Sequence, residues 1–180
     1  MDTSDQPGPP HVAPVVGKLR LNGADIRGLD ASMQDWSHAE LTGVDWEGGV
    51  ASGTNLTGAS LRGAHCAGAA FTAATLKSAD CEGADFTGAN LMMVDFTDAN
   101  LAGANLRGAH LNGADFRGAV LDGVDVEGAS FNTATVFPSE FWNTQLPTEG
   151  ARSLAMSLIE DGWLDSLGEL LATARCLDDC

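Results

Sequence analysis

The chain has 180 residues, with 25 acidic and 9 basic side chains and a formal net charge of −16. That balance disfavours direct binding to nucleic acid or an anionic membrane and favours basic partner surfaces; no Lys/Arg cluster offers a phosphate site. No apolar run approaches the ~18 residues that would span a bilayer.

Residues 1–18 are rich in proline and lack the apolar core of a signal peptide. They read as a flexible tail on a cytoplasmic protein.

From Leu21 to Phe141 every fifth position is apolar, giving 25 repeats with no break in the spacing. Call that position the centre. Alanine stands two residues before it in 16 of the 25 repeats, and glycine two residues after it in 16. The residue just before it is usually Asp, Asn, Ser, Thr or His. Five is the wrong period for a helix, where successive centres would wind around every face. It is wrong for a flat strand too, where an odd period throws them onto alternate faces. The chain must turn once per repeat, with glycine at the corner because it accepts φ > 0. Repeated corners close a coil, and coils stack into a solenoid. The corner positions without glycine fall in adjacent pairs: Met33/His38, Ala73/Ser78, Met93/Asp98 and Thr133/Pro138. Their separations of 40, 20 and 40 residues suggest a turn of four repeats.

Ala-Asp-Phe-Thr-Gly (84–88), Ala-Asn-Leu-Arg-Gly (104–108) and Ala-Asp-Phe-Arg-Gly (114–118) resemble the units of the pentapeptide repeat proteins. The resemblance implies an all-β solenoid over residues 19–146. It would be a right-handed quadrilateral β-helix of about six coils at roughly 4.8 Å spacing, near 29 Å long. Centres and alanines would face inward, Cys66 and Cys81 among them as buried free thiols.

With four repeats per coil the sides differ. The first side carries Glu40, Asp80, Glu82, Asp122 and Glu140 against Arg62. The second carries Asp25, Asp45, Glu47, Asp85, Asp125 and Glu127 against Arg27 and Arg107. The third has only Asp30; the fourth has Asp35, Asp95, Asp98 and Asp115 against Lys77 and Arg117. Most of the repeat region's charge therefore lies along one edge. Aspartate before the centre is also simply a soluble choice in such a repeat. Duplex DNA carries one charge per ~1.7 Å of axis, and the edge offers a sparser ribbon of the same sign. On the third side Val50, Ala70, Met92 and Met93 face outward as a modest contact patch or neutral filler.

Residues 147–180 read as two amphipathic helices. Thr148 is a plausible N-cap, and apolar residues recur at helical spacing through Leu154 and Leu158, then Trp163, Leu167, Leu170, Leu171 and Leu177. With Phe141 and Trp142 beneath them they would cap the open end of the solenoid, join two chains, or both. In gyrase-interacting relatives two rods join at the C-terminal end, so the resemblance implies a two-fold homodimer there. Cys176 and Cys180 could form a tail disulfide or a metal pair, although two ligands make no zinc site.

No catalytic constellation stands out. His38, His65 and His110 project from separate sides, the glycines are followed by no Gly-Lys-Ser/Thr, and a rod without insertions has no cleft. The expectation is a non-enzymatic protein without cofactor or metal. Its uninterrupted coils, acidic edge and helical C-terminus resemble the MfpA-type members of the family rather than the Qnr members with projecting loops. That implies binding of DNA gyrase, or another DNA-binding protein with a basic groove, by mimicry of DNA. Supercoiling and sensitivity to quinolones or natural gyrase poisons would change; in a producer organism this would be self-immunity. The candidate contacts are Asp25, Glu40, Asp45, Glu47, Asp80, Glu82, Asp85, Asp122, Asp125 and Glu127. The competing reading is an interaction scaffold for a different protein.

Overall fold

An apolar residue at every fifth position can share one interior only if the backbone turns once per repeat, and it does. The structure, a computed structural model, describes residues 18–138 and Phe141. Most of the predicted tail (residues 1–17) and the C-terminal segment lie outside the described residues. So do the cap or dimer candidates Trp142, Leu154, Leu158, Trp163, Leu167, Leu170, Leu171 and Leu177, and the cysteines 176 and 180.

Parallel bridges join residues 20 apart, and they form four columns. Arg20, Glu40, Ser60, Asp80, Asn100 and Val120 make the first; Asp25, Asp45, His65, Asp85, Asn105 and Asp125 the second. The third runs from Asp30 to Ser130 and the fourth from Asp35 to Asp115 and on to Val136. The coil is thus a quadrilateral of four repeats, as the glycine-free pairs suggest. Each centre's amide donates one coil ahead, as Leu61 N–H does to the Asp80 carbonyl at 2.6 Å. The residue before the centre donates one coil back, as Asp85 N–H does to Ala64 at 2.8 Å. Interior coils are therefore tied on both edges, which leaves few unpaired backbone groups.

Each corner is closed by a hydrogen bond from the residue three past the centre to the centre's carbonyl, as Ala84 N–H bonds Cys81 at 3.0 Å. The residue two past the centre takes φ > 0 whether or not it is glycine. Met33, His38, Ala73, Ser78, Met93 and Asp98 all do so, at φ 54–60°, each at a cost of roughly 1–2 kcal/mol. All six lie on the third and fourth sides. The side chains of Met33, His38, Met93 and Asp98 reach the corner glycine of the next coil: the Met33 sulfur lies 2.5 Å from where a Cβ on Gly53 would stand.

Centres and alanines fill the interior. Leu41, Leu61, Cys81 and Leu101 stack on the first side and Trp46, Cys66, Phe86 and Leu106 on the second, all buried. Two indoles, Trp36 and Trp46, fit in the first coils because the third-side centres between them are alanines, Ala31 and Ala51. The alanine place ahead of Ala51 is in turn held by Gly49. The rings stack with centroids 5.0 Å apart, and Trp46 Nε1 donates to the Leu29 carbonyl at 3.1 Å. From there an aromatic chain runs through Phe71, Phe86, Phe96, Phe116 and Phe137 to Phe141, with adjacent centroids 4.6–6.3 Å apart. Such pairs contribute about 0.5–1.5 kcal/mol each beyond burial. One alanine place holds Thr54 instead, fully buried, its hydroxyl donating to the Ala31 carbonyl at 2.8 Å.

The unbroken count of five overstates the coil at its end. Asp115 pairs with Val136, a step of 21 rather than 20. Val136, the expected centre, stands before the centre and is 40% exposed; Phe137 takes the interior place and stacks on Phe116 at 5.1 Å. The reason is Pro138. In the strict register it would be a corner residue with φ > 0, and its ring fixes φ near −65°. The extra residue lies in the turn after Phe131, where side chains replace a lost backbone acceptor. Gly113 N–H donates to both Asn132 Oδ1 and Thr135 Oγ1 at 3.1 Å. Phe141 is buried and stacks on Phe137 at 4.6 Å, with its amide bonded to the Pro138 carbonyl.

Candidate partner-binding face

The column residues of the first and second sides point outward because their neighbours, centre and alanine, point in. All ten predicted carboxylates therefore lie on two adjacent sides, in register with the coils. They occupy two kinds of position with different chemistry.

Asp25, Asp45, Asp80, Asp85 and Asp125 stand just before a centre. In each, Oδ1 accepts the backbone N–H two residues on, at 2.9–3.3 Å. This closes the corner from outside and explains the preference for Asp or Asn at that place. Asn55, Asn90, Asn100 and Asn105 make the same bond without a charge. Glu47, Glu82, Asp122 and Glu127 follow a centre and project from the corner. Glu40 fills a column place without this turn.

Arginines change the electrostatics. Arg62 reaches one coil ahead to Asp80 at 3.1 Å and Glu82 at 2.6 Å. Arg107 does the same to Asp125 at 3.2 Å and to Glu127. Arg27 bonds Asp25 at 2.6 Å and lies 3.5 Å from Asp45. Glu40 is held by Lys18 at 2.9 Å and Arg20 at 3.5 Å, so Arg20 belongs to the first side's charge together with Arg62. The bidentate bond from Arg27 holds the Asp25 carboxyl at about 2. Lys18 lowers Glu40, and the backbone amide of Glu127 lowers Asp125. The guanidinium groups of Arg62 and Arg107 shift upward through the same bonds. Seven of the ten carboxylates are thus ion-paired within the chain. Glu47, Asp85 and Asp122 have no such pair among the described residues.

Counting the acids singly in the sequence misses these forks. The signal was present as spacing: each fork places an arginine 20 residues, one coil length, before a glutamate and 18 before an aspartate. His65, between Asp45 and Asp85 in the second column, also belongs to this face.

Elsewhere, Val50 and Met92 on the third side are half-buried, whereas Met33 and Met93 are exposed at its corner. Cys66 and Cys81 are buried free thiols whose ionisation burial pushes up. Among the described residues no His, Cys, Asp or Glu group could hold a metal ion, and no helix is long and apolar enough to cross a membrane.

The family model described as "Pentapeptide repeats" matches residues 54–91 and 95–132 in eight copies. A search of curated proteins found no match. Among solved structures the chain is similar to Rfr23, a pentapeptide repeat protein from the cyanobacterium Cyanothece 51142. The identity is 23%, over 66% of this chain and 91% of that one, with a TM-score of 0.48. It is also similar to alr5209, a pentapeptide repeat protein from Nostoc Pcc 7120, at 30% identity over 62% and 80%, TM-score 0.49. A third is QnrB1, a plasmid-mediated fluoroquinolone resistance protein, at 22% over 66% and 70%, TM-score 0.34. With the five-residue unit, the four-sided coil and the family match in agreement, the chain belongs to the pentapeptide repeat proteins, whose members form right-handed quadrilateral β-helices.

Proposed function

We propose that this chain is a non-enzymatic, acidic mimic of DNA that binds a type II topoisomerase, DNA gyrase, through its first and second sides. The observation that carries the reading is the alignment of ten carboxylates on two adjacent sides of one rod. Successive coils repeat every ~4.8 Å, so a basic groove shaped for a duplex meets negative charge at regular intervals along a stiff axis. Association with such a groove is steered by charge and weakens as salt rises. Simple competition with DNA would inhibit supercoiling and change sensitivity to quinolones or natural gyrase poisons. Two copies joined at the C-terminal end would lengthen the acidic ribbon. Capture of partners from native lysate at low and high salt tests this; a topoisomerase subunit retained only at low salt supports it, and its absence from the captured proteins contradicts it.

One observation favours a second reading, a scaffold for another protein. The aspartates before the centres close corners whatever the partner, so part of the acidic edge is explained by the fold alone. Capture of a different protein, held equally at high salt, would select it.

A further inference from the structure

Arg62 and Arg107 each sit one coil before an Asp-x-Glu pair and bridge both of its carboxylates. A cation from a partner would seek the same two oxygens with the same fork geometry. We infer that these arginines are internal competitors on the binding face: they occupy the two forks Asp80/Glu82 and Asp125/Glu127 and limit affinity for basic partners. This rests on the reading that the first and second sides bind a basic surface, and it adds where on them the contact falls.

The geometry favours local occupation over a general effect of net charge. All four carboxylates engage a guanidinium from the coil before, at 18 and 20 residues' distance, and each pair receives one arginine. The pairs are half-exposed, with arginine side chains 46% and 47% accessible. Water therefore screens them, and such pairs are individually weak. A partner cation can displace the arginine, but it must do so before it gains the fork. Glu47, Asp85 and Asp122 impose no such step, so first contact falls on them, and the forks open as the complex tightens. Arg27 differs: its short bond is to Asp25 of its own repeat, and Asp45 lies farther off at 3.5 Å.

The sign of the effect separates this from a supporting role. If Arg62 and Arg107 merely held the carboxylates in a productive array, removing them would weaken binding. As competitors, their removal strengthens it. The probe is a deca-lysine peptide, titrated calorimetrically against the full chain at low salt, with wild type, Arg62→Gln, Arg107→Gln and Lys77→Gln compared. Lys77 lies on the fourth side and forms no ion pair among the described residues, so its loss changes net charge equally without freeing a fork. The expected result is about two- to fivefold tighter binding for each arginine variant, a steeper salt dependence, and little change for Lys77→Gln. Unchanged or weaker binding by the arginine variants, or equal tightening by Lys77→Gln, overturns the inference. Far-ultraviolet circular dichroism and a thermal melt report whether each variant keeps its coil. A parallel supercoiling assay with wild type separates the two ideas: lack of gyrase inhibition removes the gyrase reading and leaves the peptide result to stand or fall alone.

Discussion

The Trp46 indole occupies the space into which any side chain at Gly49 would project. A Cβ on Gly49 would lie 2.0 Å from Trp46 Cδ1 and 2.2 Å from Nε1. A large centre on the second side is thus matched by a missing methyl at the alanine place of the third, and the interior keeps its cross-section. Gly49→Ala should therefore destabilise the fold by about 1–3 kcal/mol through overpacking. Chemical denaturation followed by tryptophan fluorescence measures it. Trp46→Leu alone should also destabilise, by cavity formation, but adding Gly49→Ala to it should cost little further, because the clash is then gone.

Alanine elsewhere in the wall has the same purpose. Ala114, fully buried between the Leu111 and Phe116 centres, has no room for a ring. Ala114→Trp should break the stack, seen as loss of the β signal in circular dichroism, whereas Gly49 shows that the wall can be thinned where a centre is large.

Asp85 offers a clean separation of charge from fold. Its Oδ1 accepts the Thr87 amide at 2.9 Å and the Thr87 hydroxyl at 2.6 Å. Asp85→Asn keeps an acceptor there, as Asn105 does one coil on, and should leave the melting temperature nearly unchanged. Asp85→Ala removes the acceptor and should cost about 1 kcal/mol. Thermal melts of the two variants check this, and only their difference reports the corner bond.

Acid should loosen the rod in a defined window. Asp25, Asp35, Glu40, Asp115 and Asp125 all titrate below their ordinary values, through arginine, lysine or backbone N–H partners. A carboxylate with a depressed folded value contributes stability above its unfolded value, near 4. That contribution is lost as pH falls towards the folded value, which is about 2 for Asp25. Stability from these groups should be level from pH 7 to about 5 and decline between about 4 and 2. Denaturant midpoints measured across that range test it, and Arg27→Gln, which returns Asp25 towards its ordinary value, should lower stability near neutral pH and make the acid decline smaller.

The repeat, the four-sided coil and the identity of its acidic sides were legible because a strict period fixes which residues share a column. What escaped was set by exceptions to the period. Pro138 looks like one more corner without glycine, yet proline cannot take the required φ, so the register slips and Phe137 replaces Val136 in the core. The pairing of Arg62 and Arg107 needed the coil length first, since a spacing of 18 or 20 has no meaning along an extended chain. Volume exchange among Trp36, Trp46, Ala31, Ala51 and Gly49 crosses sides of the coil, and a reading of one column at a time passes over it. The structural duty of the aspartates was visible only as a preference for Asp and Asn at one place.

Gyrase-catalysed supercoiling, titrated with wild-type protein and with the triple variant Glu47→Gln/Asp85→Asn/Asp122→Asn, tests the central claim most directly. These three carboxylates have no ion pair among the described residues, and the substitutions preserve their shape. Inhibition by wild type at micromolar concentration, with at least a tenfold weaker effect from the triple variant, is the predicted result. Equal potency of the two proteins, or no inhibition by wild type with gyrase from its own host, would contradict it.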